Sequence, residues 1–195
     1  MLDLKLLISK GANLENFEPK EIIYAEGSEC IYYHQLVKGR VMWVNTNDKG
    51  KEFIQKIIEP GEFFGELPLF EDGEYAADAI AIESSIVIRL PKGIFLQILR
   101  ENPEIHFQFS RIIAQRLKFD FRLLKSFAFE NPEGRILTLL SYIKSQQRSK
   151  EPMQVMLTRQ QIANMTGLRV ETVIRAILVL HKKGELNIIA GKVFI

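Results

Sequence analysis

Cysteine is almost missing: Cys30 is the one thiol in 195 residues. Such a chain cannot close an internal disulfide, and its own cysteines cannot build a four-thiolate zinc site or an iron–sulfur cluster. Beside Ile31 and Tyr32, Cys30 reads as a small buried hydrophobe. Histidine is nearly as scarce. His34, His106 and His181 are scattered, which argues against the clustered ligands of a cupin-type barrel enzyme and against haem, so no cofactor and no enzymatic activity are expected. No run approaches the roughly 20 apolar residues of a membrane helix. The first ten residues form too short an apolar run for a secretory signal and carry Asp3 and Lys5 inside it, so a cytoplasmic location is expected. A last absence is local: between Lys56 and Arg89 there is no basic residue, while residues 57–88 hold eight acidic ones.

What is present suits one large or two modest soluble domains. The charge is unevenly placed. Residues 131–195 hold ten basic and four acidic residues, a net +6, whereas residues 1–130 carry a net −4. A basic excess confined to the last third points to an anionic partner for that part, most simply nucleic acid.

From Glu21 to Leu90 the sequence reads as short strands, at residues 22–24, 31–33, 35–37, 41–44, 53–58 and 85–88. They are punctuated by turn residues at Gly27, Gly39, Asn47–Gly50 and Pro60–Gly61. Regular spacing of this kind predicts an all-β barrel or sandwich, with Trp43, Phe53, Phe63 and Phe64 in its core. A short helix is expected at 93–99. Asn102 and Pro103 then resemble a cap and a first helical position, and apolar residues recur at helical spacing from Glu104 to Phe129. A helix of that length spans about 37 Å, too long to be covered by one small barrel. Its stripe either packs on its own barrel or meets a second copy. Arg116 and Asp120 interrupt it as polar residues do in paired helices, so a dimer face is expected at Ile105, Phe109, Ile112, Ile113, Arg116, Leu117, Asp120 and Leu124. These elements divide the chain into a β domain at 1–101, a dimerisation helix at 102–130 and a C-terminal domain at 131–195.

In the C-terminal part, Gly134–Lys144 predicts an amphipathic helix. A polar loop at 145–152 follows, and then two helices joined by a tight turn. Thr158 can cap the first, Ala163 is small where a second helix passes close, and Gly167 permits the turn. Val173, Ile177 and Leu180 face inward on the second. This is a helix-turn-helix pattern, and Leu186–Ile195, with Gly191 in a tight turn, adds a hairpin behind it. Glu171 and Arg175 are four apart, hence on one helix face, where arginine can donate two hydrogen bonds to guanine and glutamate can accept one from cytosine. The bland alternative is a surface ion pair between the two. Ile174 suits either a thymine methyl or the core. Thr158, Arg159, Gln160, Arg169, Thr172, Lys182, Lys183 and Lys192 are candidates for the DNA backbone.

Phe64-Gly65-Glu66-Leu67, Asn102-Pro103-Glu104, Gly134-Arg135-Ile136, Leu157–Ala163, Glu171–Arg175 and the closing Gly-Lys hairpin together resemble the Crp-Fnr family of bacterial transcription regulators over nearly the whole chain. The resemblance implies an α+β chain: an N-terminal β-roll of the cyclic-nucleotide-binding-like jelly-roll type, a long dimerisation helix and a C-terminal winged helix-turn-helix. It implies a homodimer on palindromic promoter DNA, RNA polymerase as a partner, and room for an unidentified small-molecule effector. Val170-Glu171-Thr172 looks closer to the Fnr branch. In members that bind cyclic AMP, the phosphate meets an arginine and a serine or threonine shortly after the Gly-Glu-Leu turn, and the adenine meets hydroxyls on the long helix. Here Tyr75-Ala76-Ala77 and Asp120-Phe121 stand at those places. Losing one charge-assisted hydrogen bond costs about 1.5–3 kcal/mol. Gly65, Glu66, Leu67, Tyr75, Ala76, Ala77, Asp120 and Phe121 are therefore expected to line a pocket that does not take a cyclic nucleotide. The competing reading is a sensing module that regulates a protein partner; it leaves the basic C-terminal third unexplained.

Overall fold

The computed structural model describes residues 2–146 and 151–195, so the part of the expected polar loop at 147–150 lies outside the described residues. The chain divides into two compact units, one ending at Ile112 and one beginning at Ile113.

The first unit opens with helix α1 (Leu4–Ser9), whose first turn is capped by the Asp3 carboxylate accepting from the Leu6 amide at 3.1 Å. Eight strands follow: β1 (Asn13–Phe17), β2 (Ile22–Tyr24), β3 (Tyr32–Lys38), β4 (Val41–Thr46), β5 (Glu52–Ile58), β6 (Phe63–Phe64), β7 (Asp78–Ala81) and β8 (Ser85–Pro91). They form two four-stranded sheets, ordered β1-β8-β3-β6 and β2-β7-β4-β5, in which every pairing is antiparallel. The turn spacing therefore predicts the class correctly, but not every strand. Residues 31–33 and 35–37, expected as two strands, are one. His34 and Gln35 look like a polar break, yet both are buried. Gln35 accepts from the Tyr33 hydroxyl at 2.6 Å and donates to the Leu2 carbonyl at 3.2 Å. Strands β1, β6 and β7 and helices α1 and α2 (Leu67–Glu71) have no counterpart in the sequence reading. Phe63 and Phe64 are core residues as expected, whereas Trp43 and Phe53 are only half-buried. Cys30 is buried, and desolvation raises its thiol pKa.

Helix α3 (Lys92–Glu101) and the start of α4 (Pro103–Phe129) close one side of the roll. Phe95 stacks on Tyr33 with centroids 4.5 Å apart, and Phe109 stacks on Phe63 at 4.0 Å. Phe109 thus corrects one expectation. Its spacing groups it with a dimer face, but barrel aromatics cover it and 4% of its surface is left. Ile105 likewise lines a cavity of about 190 Å³ beside Leu2 and Leu6 of the N-terminal segment.

The second unit holds the rest of α4, then α5 (Pro132–Gln146), α6 (Arg159–Thr166), α7 (Val170–Lys182), β9 (Asn187–Ile189) and β10 (Lys192–Phe194). Phe119 stacks on Tyr142 at 3.5 Å. Ile136, Leu139 and Leu140 of α5 are buried, as are Ile162 of α6 and Val173, Ile177 and Leu180 of α7. Fully burying a side chain of this kind contributes about 1.5–3 kcal/mol, so one apolar face on each helix fixes the three against one another.

Candidate nucleic-acid interface and the β-roll interior

Helix α6 begins with a capping box. Thr158 Oγ1 accepts from the Gln161 amide at 3.1 Å, and the Gln161 side chain accepts from the Thr158 amide at 2.9 Å. It ends at Gly167, whose φ of 68° lies in the left-handed region that glycine adopts without a Cβ penalty. The Leu168 amide turns back to the Ala163 carbonyl at 3.1 Å. Thr166, buried at the same corner, donates to the Ile162 carbonyl at 2.6 Å. After Gly167, Leu168 and Arg169, α7 starts at Val170.

With Val173, Ala176, Ile177 and Leu180 turned inward, α7 exposes Glu171, Ile174, Arg175, Leu178 and Lys182. Ile174 is 44% exposed, which decides between its two readings: it is a surface residue. Among the described residues neither Glu171 nor Arg175 finds a hydrogen-bond or ion-pair partner, so the surface-salt-bridge alternative does not describe this helix. A guanidinium and a carboxylate one turn apart on an exposed face are equipped to meet base edges.

Strands β9 and β10 pair antiparallel with Val193 opposite Ile188, across a turn in which Ala190 and Gly191 have φ of 49° and 76°. A third segment joins them: the Met153 and Val155 amides donate to the Ile195 and Val193 carbonyls, both at 2.8 Å. Sequence reasoning placed Lys192 on this wing and missed the supporting segment, whose alternation of buried Met153 and Val155 was the available signal. Lys182, Lys183 and Lys192 are exposed, as is Arg169 at the N-cap of α7, while Thr172 is half-buried. Gln160 donates to Asn164 at 2.8 Å along α6. Arg159 Nη2 donates to the Gly191 carbonyl at 3.3 Å.

In the β-roll, Gly65 has φ 71°, and a Cβ there would lie 2.8 Å from Tyr24 Oη and 2.9 Å from Tyr75 Cε1. The two tyrosine rings lie over it, stacked 3.7 Å apart at 12°. Tyr75 is buried, its hydroxyl donates to the Tyr32 carbonyl at 3.4 Å, and desolvation pushes its phenol pKa up. Tyr24 is also raised, by burial first, and its hydroxyl accepts from Trp43 Nε1. Of the expected pocket residues, Gly65, Glu66, Tyr75 and Ala77 are buried, whereas Leu67 and Ala76 are exposed. Asp120 and Phe121 belong to the second unit and are exposed on α4.

Three interior residues were not among the expected pocket residues: Arg89, His34 and Tyr24. Arg89 on β8 makes a salt bridge with Glu15, donates to the Ile23 carbonyl at 3.1 Å, and donates through Nε to His34 Nε2 at 3.3 Å. Its guanidinium carbon lies 5.2 Å from the Tyr32 ring centroid. His34 is buried between aromatic rings, and desolvation, with the Arg89 charge second, lowers its pKa to about 3. A lone arginine within the apolar run 86–90 was the visible hint. Two tyrosines thus cover the Gly65 turn, and Arg89 is bonded on three sides.

Taken together, a β-roll followed by a long helix and a winged helix-turn-helix defines a class of DNA-binding regulators. Comparison with known proteins gives the family. Residues 14–102 match the cyclic nucleotide-binding domain and residues 134–195 the Crp-like helix-turn-helix domain. The chain is 36% identical over 160 residues to the cAMP-activated global transcriptional regulator CRP of Pasteurella multocida, covering 80% of this chain and 76% of that protein. It is 30% identical over 189 residues to the protein of the same name from Haemophilus influenzae, covering 92% and 84%. The solved structure of FixK2 from Bradyrhizobium japonicum shares the fold with a TM-score of 0.77 at 23% identity, covering 93% and 91%. The chain belongs to the Crp-Fnr family of transcription regulators, a family of regulators and not of enzymes. Among the described residues no helix is long and apolar enough to cross a membrane.

Proposed function

We propose that this regulator binds DNA sequence-specifically as a homodimer on palindromic promoter sites and is not controlled by cyclic AMP. One observation carries the reading: Glu171 and Arg175 stand exposed and unengaged on a helix whose opposite face is buried. Arg169, Lys182, Lys183 and Lys192 are exposed cations of the same unit, suited to phosphates. Arg175 would donate to guanine and Glu171 accept from cytosine, while Ile174 touches a thymine methyl.

The dimer has its own support. On α4, Phe107, Ser110, Ala114, Leu117, Phe121, Leu124 and Ala128 alternate at spacings of three and four, and every one is exposed. That is a heptad seam of the kind two helices bury between them. It keeps Leu117 and Leu124 of the expected face and adds Phe121, which then meets a second copy instead of an effector. Ile112, Ile113 and Arg116 are half-buried and flank this seam; Asp120 borders it. Two copies would set their α7 helices about 34 Å apart on successive major grooves, with RNA polymerase as the downstream partner. The CRP relatives are cAMP-activated by name, but the tyrosine-covered Gly65 turn and the base-free stretch 57–88 support a different control here.

Selection of bound duplexes from a random pool, with the mass of the resulting complex, tests the proposal. An enriched inverted repeat containing G·C pairs, carrying two chains per duplex, is the expected result. Failure to enrich any sequence at low salt, with cell extract present, overturns it.

A further inference from the structure

Arginine is an unfavourable choice for the first residue of a helix. The N-terminal end carries partial positive charge, so the Arg159 cation works against α6 itself. Thr158 and Gln161 already close the capping box there. The role of Arg159 therefore lies outside α6, and one partner is visible: its Nη2 donates to the Gly191 carbonyl at 3.3 Å. The side chain is only partly exposed, and desolvation lowers its pKa.

Gly191 sits at the tip of the wing. The two wing strands have three residues each, and a hairpin that short is marginal without support. Residues 153–155 support β10 along its length, but the turn projects beyond them. Both turn residues, Ala190 and Gly191, hold left-handed backbone. The next residue, Lys192, is exposed and begins β10.

We propose that Arg159 is a positioning residue that clamps the wing tip onto α6 and so holds the Lys192 ammonium at the DNA backbone. The clamp itself depends only on bonds within the winged unit; the purpose given to Lys192 rests on the DNA-binding reading above.

Two measurements on the full chain test it. The first is hydrogen exchange without DNA. Arg159→Ala is expected to speed exchange of the amides of residues 190–193 on the order of tenfold while the buried face of α7 keeps its protection. Arg159→Met, which keeps the aliphatic stem, should do the same and stands in if the alanine variant does not fold. Unchanged protection at 190–193 overturns the proposal. The second is fluorescence anisotropy with a labelled random-sequence duplex across a salt series, which reads phosphate neutralisation without knowledge of the operator. Lys192→Ala should reduce the salt slope by about 0.9 for each phosphate it no longer neutralises. Arg159→Ala should give the same reduction, and the double variant no more than either. Additive reductions would make Arg159 an independent phosphate ligand and overturn the proposal. If the wild-type chain bound no duplex at low salt, the DNA-binding reading would fall, and exchange alone would decide the clamp.

Discussion

Inside the β-roll, Arg89 is bonded to Glu15, to the Ile23 carbonyl and to His34, and Tyr24 and Tyr75 stack on each other over Gly65. On α7, Glu171 and Arg175 stand in water with no partner among the described residues. The same residue types serve opposite ends. Where hydrogen-bonding capacity is satisfied internally, a charged or aromatic group holds the fold together. Where it is left open on a rigid element, it awaits something outside. Under the proposed function, the open face of α7 meets DNA, while the interior of the β-roll is occupied by its own side chains.

Four experiments press on that contrast, in order of expected effect. Gly65→Ala attacks the filled chamber. Its left-handed backbone would cost about 1–2 kcal/mol, and overpacking against two buried tyrosines about 1–3 kcal/mol more. A urea melt of the first unit should show this as a lower midpoint, and an unchanged midpoint would mean the rings yield easily. Arg175→Ala attacks the open face. Affinity for the selected operator should fall by about 1–3 kcal/mol, with discrimination relaxed at one base position. Equal weakening on every sequence would demote Arg175 to a phosphate ligand.

His34 tests how dry the roll is. Its pKa is lowered to about 3 on folding, so the unfolded chain takes up its proton first as pH falls. The stabilising contribution is complete above about pH 6.5 and is lost progressively between there and about pH 3. Between pH 7 and pH 5 the wild type should lose about 1–2 kcal/mol from this group, and His34→Gln should lack that part of the slope. Equal slopes would mean that water reaches the ring. The smallest effect is expected from calorimetric titration with cyclic AMP and cyclic GMP, which should give no binding heat. Micromolar affinity would show that the tyrosines move aside.

How much could be read beforehand follows from how local each feature is. The helix-turn-helix was legible because Thr158, Ala163 and Gly167 each constrain the backbone within a few residues, and Glu171 and Arg175 share a face by their spacing alone. The long helix was legible from its period, though the same period could not tell Phe109, which the barrel covers, from Leu117, which it leaves exposed. Strands β1 and β7 were not legible. They are short, and what defines them is pairing with β8 and with β2 and β4, segments far away in sequence. The stacked pair of Tyr24 and Tyr75 and the bond from Arg89 to His34 arise only once the sheets have closed. Local chemistry writes the reading helix; long-range closure writes the chamber.

Trp43 is the chain's single tryptophan, and its indole nitrogen donates to the hydroxyl of Tyr24, one of the two rings over Gly65. The fold has thereby wired an optical probe to its own stopper. Any molecule that pries those rings apart must disturb that indole, and its emission would announce the intruder with no label attached.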